Sequence, residues 1–143
     1  MSLDAAYDSS NIFARILSGA VPCVKVYEDD KTLSFMDVFP QARGHTLVIP
    51  KISARNLFDI ADADLQDLIV KTRKVAQGVR DALQPEGVRL MQFNGAAAGQ
   101  TVFHIHFHII PFWEGTADRP HASGQMADMA ELNETAALIR AKL

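Results

Sequence analysis

A chain of 143 residues has the size of one ordinary domain, and 48% hydrophobic with 22% charged residues is the balance of a globular protein. A net charge of −3 offers no basic patch for a nucleic-acid polymer or an anionic membrane surface, and no apolar run approaches the roughly 18 residues of a membrane span. The single cysteine, Cys23, rules out an internal disulfide and fits a reducing compartment; with no basic or apolar signal-peptide region at the start, the expected location is cytoplasmic.

Residues 1–8 carry no periodicity and are expected to be loosely ordered. Ser9-Ser10 offers a cap for a short helix from Asn11 to Leu17, ended by Gly19, with Ile12, Phe13 and Ile16 on one face. Val24 to Glu28 alternates like a strand, Asp29-Asp30-Lys31 turns, and Thr32 to Asp37 returns as a second strand, making a hairpin. A loop over Phe39 to Gly44 leads into a third strand, His45 to Ile49, closed by Pro50. From Asp62 to Leu83 the apolar residues Leu65, Leu68, Ile69, Thr72, Val75, Ala76, Val79 and Leu83 follow the helical period, with Asp62 or Asp64 as cap and Pro85 and Gly87 as stops. Arg89 to Asn94 reads as a fourth strand and Phe103 to Pro111 as a fifth. After Trp113 the composition turns to loop residues, and a last helix runs from Gln125 or Asp128 to Lys142. No repeat or second domain is visible. Separated strand pairs with intervening helices predict an α+β fold with a mostly antiparallel sheet, a long helix packed on it, and short helices at both ends.

Three of the five histidines fall at alternate positions: His104, His106 and His108. Ile105, Phe107 and Ile109 lie between them. On a strand, that alternation sends the apolar side chains to the core and stands the imidazoles in a row, about 6.6 Å apart. Such a row could be a plain polar face, a metal site, or a centre for phosphorus chemistry with one imidazole as nucleophile. The small-residue loop Asn94-Gly95-Ala96-Ala97-Ala98-Gly99-Gln100-Thr101 runs directly into it. Backbone N–H groups, the Asn94 amide and the Thr101 hydroxyl would suit phosphate oxygens, which favours the third reading.

Ala98 to Pro111 resembles the His-φ-His-φ-His-φ-φ signature of the histidine triad (HIT) superfamily of nucleotide hydrolases and transferases, and the resemblance extends from about Asn11 to Pro111. It implies a single domain over residues 1–143 with a variable segment 112–143, a five-stranded sheet carrying a helix, and a homodimer. The implied ligand is a purine mononucleotide or nucleotide conjugate. The implied chemistry is attack on the α-phosphorus by the central histidine, here His106, through a nucleotidyl-histidine intermediate. His108 takes the position that contacts the phosphate or leaving group, His104 the supporting position, and His45, in Gly44-His45-Thr46-Leu47-Val48-Ile49-Pro50, the one beside the triad. Asn94, Gln100 and Thr101 match phosphate-side positions and Asp37 the acid for the ribose hydroxyls. Ile12, Phe13, Ile16, Phe35 and Val38 match the apolar slot for the base. His121 matches nothing and is expected on the surface.

Where many bacterial relatives bind structural zinc through two cysteines, a histidine and the first triad histidine, this chain has Asn11, Ala14 and Ser53, leaving only His104. One ligand does not make a structural zinc site, so no zinc or other resident cofactor is expected, though a divalent ion could accompany a polyphosphate substrate. Asn94 stands where polyphosphate-cleaving members of one branch carry Gln, which leans the reading towards phosphoramidate substrates over dinucleoside polyphosphates. Phe112-Trp113-Glu114 replaces a basic residue often seen after that proline, which bears on the leaving group. Two rival readings are a regulatory nucleotide-binding dimer with little or no catalysis, and a zinc hydrolase ligated by His104, His106 and His108.

Overall fold

A computed structural model describes residues 3–116 and 125–143. Helix α1 (Ile12–Leu17) is followed by strands β1 (Lys25–Glu28), β2 (Thr32–Met36) and β3 (Thr46–Pro50). Helix α2 (Asp62–Leu83), strands β4 (Gly87–Met91) and β5 (Phe107–Phe112) and helix α3 (Met129–Arg140) complete the chain. The five strands form one sheet in the order β1-β2-β3-β5-β4, antiparallel throughout, which is the α+β architecture expected. Among the described residues no helix is long and apolar enough to cross a membrane.

Both faces of the sheet centre are covered, which is why every residue of β2 and β3 is buried. On one face, Val48, Ile105 and Ile109 pack with Leu68, Val75 and Val79 of α2 and Leu132, Ala136 and Ile139 of α3. On the other, Leu33, Phe35, Leu47 and Ile49 pack against Phe13 of α1. The period-2 alternation therefore holds: Ile105, Phe107 and Ile109 join the helix-side core and the histidines turn away from it. Helix α2 packs chiefly across β3, β5 and β2, and on the outer strand Val88 and Leu90 stay 41% and 50% exposed. Gly44, at φ +88, sits where Leu83 and Pro111 press on the backbone; a Cβ there would collide with Leu83 Cδ1.

Most element limits shift by a residue or more from the sequence reading, and four differences in caps and limits have a visible cause. Asn11, not Ser9-Ser10, caps α1, accepting the Ala14 N–H at 2.9 Å. Helix α2 starts after Ala61 with no side-chain cap, and its two early aspartates act through the helix dipole instead. Strand β4 begins at Gly87, because Gln84 takes the left-handed turn (φ 50) and the chain is already extended three residues later. The fifth strand begins at Phe107, not Phe103, so His104 and His106 precede it. The β3–β5 ladder stops at Val48↔Phe107. The Pro50 carbonyl faces the β5 side, where it accepts from the His104 ring, so the missing Pro50 N–H would have faced that side too and cannot extend the ladder. Ile105 instead donates to Ala54 O at 2.9 Å.

Candidate functional site

A cavity of about 320 Å³ opens on the sheet face opposite α2 and α3. Ile12, Phe13 and Ile16 of α1 form one wall, Phe35 and Leu47 the floor. At the polar end lie Asp37, Val38, Thr101, His106 and His108. Phe13 is central: its ring meets His106 edge-on at 4.9 Å and Phe35 at 5.3 Å, tying the apolar slot to the histidine row. The lining residues the sequence reading missed are Val21, Pro22, Cys23, Met36, Phe39, Leu47 and Val102. Most come from turns and strand ends with no period to announce them, while Met36 and Leu47 belong to β2 and β3. Cys23 is half-buried, and burial pushes its thiol pKa up, so it serves as apolar wall.

The hydrogen bonds fix how the imidazoles are protonated. His106 Nδ1 lies 2.7 Å from the carbonyl oxygen of His104, so Nδ1 carries the proton and donates it. The basic lone pair is then on Nε2. His45 Nδ1 accepts the Gln41 N–H at 3.0 Å, which puts the His45 proton on Nε2, 2.9 Å from His108 Nδ1. His108 accepts there and holds its own proton on Nε2. His106 and His108 ring centroids are 4.9 Å apart, so the two rings are immediate neighbours. His104 points elsewhere: Nε2 donates to Pro50 O at 2.8 Å and Nδ1 faces the Tyr7 hydroxyl at 2.6 Å. Burial holds its pKa below the ordinary value, so it stays neutral. His104 and His45 thus support the row from behind, while His106 and His108 meet the cavity.

Asp37 is the ionisable acid of the cavity wall. Desolvation pushes its pKa up to about 6, opposed by the Phe39 N–H that it accepts at 2.8 Å. Its other oxygen lies 3.4 Å from His45 Nε2. Asp37, His45 and His108 are close enough to share a cation, but the Gln41 N–H leaves His45 with a proton on the nitrogen a metal would need. A structural zinc fits no better beside α1, where Asn11, Ala14 and Ser53 supply neither thiolate nor imidazole and both nitrogens of His104 are engaged.

The small-residue loop is less open to an anion than its sequence implied. The N–H groups of Ala98, Gly99 and Gln100 bond within the loop, and the Gly95 N–H goes to the Gln100 side chain at 2.8 Å. The Gln100 amide also holds Arg55 O and Val102 O. Asn94 bonds to Leu57 N–H and to Gln92. Neither Asn94 nor Gln100 lines the cavity; both brace the loop that carries Thr101 to it. His121 lies outside the described residues.

Known proteins with this pattern are numerous. The HIT domain family matches residues 18–114. Protein hit of Bacillus subtilis is 42% identical over 100 residues, covering 70% of this chain and 69% of its own. Adenosine 5′-monophosphoramidase hnt1 of Schizosaccharomyces pombe is 41% identical over 102 residues, 71% of this chain and 74% of that one. Among solved structures, a HIT-like protein from Bartonella henselae, described as involved in cell-cycle regulation and bound to an unknown ligand, superposes with a TM-score of 0.91. It is 47% identical and covers 97% of this chain and 100% of that chain.

Proposed function

The chain belongs to the HIT domain family, and from that premise we propose that it is a nucleotide hydrolase releasing a nucleoside 5′-monophosphate through covalent catalysis by His106. The observation that carries this reading is the His104 carbonyl on His106 Nδ1, which directs the basic Nε2 of a ring lining the cavity. Nε2 attacks the α-phosphorus, the bond from phosphorus to the leaving group breaks, and the positive charge on the His106 ring is stabilised by the carbonyl. His108 holds a proton on Nε2 and is backed by His45, so it can protonate the departing nitrogen or oxygen; such assistance is typically worth about 10²–10⁴ in rate. Water then cleaves the phosphorus–His106 bond and returns the ring to its starting form.

The apolar slot of Ile12, Phe13, Ile16 and Phe35 suits a purine, and the Asp37 carboxylate beside it suits the ribose hydroxyls. Thr101 serves the phosphate from a loop held by Asn94 and Gln100. The likeness to a named phosphoramidase and the asparagine at 94 favour nucleoside phosphoramidates over dinucleoside polyphosphates. No zinc is held in this reading, and the setting is cytoplasmic. The exposed apolar strip of Val88 and Leu90 on β4 beside Ile69 and Val70 of α2 supports a homodimer through that edge.

The test is turnover of adenosine 5′-phosphoramidate. The wild type should release AMP, and His106→Ala should abolish release while still binding AMP. A wild type inactive on phosphoramidates and polyphosphates alike, yet binding AMP, would replace this reading with a regulatory nucleotide-binding dimer.

A further inference from the structure

His104 is gripped at both ring nitrogens. Its Nε2–H donates to Pro50 O at 2.8 Å, and its Nδ1 receives the hydroxyl of Tyr7, 97 residues away in sequence, at 2.6 Å. The direction of the Tyr7 bond follows from the ring: with its proton on Nε2 towards Pro50 O, the neutral His104 leaves Nδ1 as an acceptor, so the phenol O–H donates to it while the phenol oxygen accepts the Asn11 side-chain N–H at 3.0 Å. The same His104 supplies the carbonyl that takes the His106 Nδ1 proton at 2.7 Å. Asn11 in turn caps α1, whose Phe13 stacks edge-on against His106.

We propose that Tyr7 is a positioning residue for the nucleophile: by clamping the His104 ring, its hydroxyl holds the peptide carbonyl that orients His106. The inference rests on the reading of His106 as nucleophile. With the ring anchored at two opposite edges, His104 cannot rotate, and its peptide plane is held with it. Release of one edge lets the ring and the carbonyl wander, and small misplacements of a reacting group are costly in rate. Asn11 and His104 are two of the positions at which relatives bind structural zinc. Here a phenol hydroxyl joins them, so a pair of hydrogen bonds links α1 to the histidine row.

Tyr7→Phe removes only the hydroxyl. Three quantities are read: kcat on adenosine 5′-phosphoramidate, Kd for AMP, and the ¹⁵N shifts of the histidine rings. The expected result is a fall in kcat of about tenfold. AMP affinity should stay within about twofold, and the His104 and His106 nitrogen signals should move towards tautomer averaging. Unchanged kcat with unchanged nitrogen shifts overturns the proposal, as does a loss of AMP affinity matching the loss of kcat, which would mark a merely structural role. Asn11→Ser keeps a helix-capping oxygen but drops the N–H to Tyr7; a smaller fall in kcat, about threefold, is expected, and it decides the matter should Tyr7→Phe not fold. If the wild type turns nothing over, the hydrolase reading fails on that account, and the nitrogen shifts alone uphold or overturn the clamp.

Discussion

Asp37→Asn should make the protein more stable at neutral pH while weakening its hold on ribonucleotides. Burial raises the Asp37 pKa from 3.8 to about 6, and at 1.36 kcal/mol per tenfold change in proton affinity that gap is roughly 3 kcal/mol. The sign follows from linkage. A raised carboxyl pKa means the folded state keeps its proton more tightly, so the stability is fully present below about 3.8 and lost as pH rises through about 6. Above that, the folded protein carries a buried charge that asparagine lacks. Against this stands the 3.4 Å approach to His45, a long contact worth at most about 1 kcal/mol, while Asn can still accept the Phe39 N–H. The net gain is about 2 kcal/mol at pH 8, or roughly 6–8 °C in Tm for a domain of this size. Thermal unfolding followed at pH 8, 6 and 4 reads it: the gap between variant and wild type should narrow through pH 6 and close near pH 4. A variant no more stable than wild type at pH 8, or a gap indifferent to pH, would refute the reasoning.

Rapid quench into alkaline denaturant, which spares the acid-labile phosphorus–nitrogen bond, should capture a nucleotidyl–protein adduct during phosphoramidate turnover that His106→Ala lacks; its absence in an active wild type would point to direct attack by water. Replacing Val88 and Leu90 together by Glu, both exposed in the single chain, should leave the fold intact and shift sedimentation from dimer to monomer, whereas an unchanged mass would move the interface elsewhere. Elemental analysis should find well under one zinc per chain, and chelation should leave turnover unchanged. Stoichiometric zinc with chelator-sensitive turnover would favour the metal-dependent alternative.

The sequence carried the fold wherever a period was long and unmixed. Helix α2 runs over Asp62–Leu83, the span its apolar stripe predicts, because six turns of consistent spacing leave little room for error. The alternation around the histidines correctly assigned faces but not strand limits. His-x-His-x-His fixes which side each residue takes, while the length of the ladder depends on a partner strand and on Pro50 within it. The apolar slot was legible through Ile12, Phe13, Ile16 and Phe35, which the fold gathers into one cavity with Asp37, Val38, Thr101, His106 and His108. Asn94 and Gln100 show the opposite case. Their types suit a phosphate, but amides are equally good at bracing a glycine-rich loop, and only coordinates reveal which partners they have. The Tyr7 contact left no local signal at all, since it joins residues 97 apart.

Helix α1 lies wholly ahead of residue 18, where the family match begins. A fragment cut at that point would retain every member of the histidine row and its carbonyl braces, yet lose Ile12, Phe13 and Ile16 from the cavity wall and the Asn11 that caps their helix. Such a piece would look complete by its signature and still have one side of its cavity open to solvent, so the structural unit begins before its recognisable one.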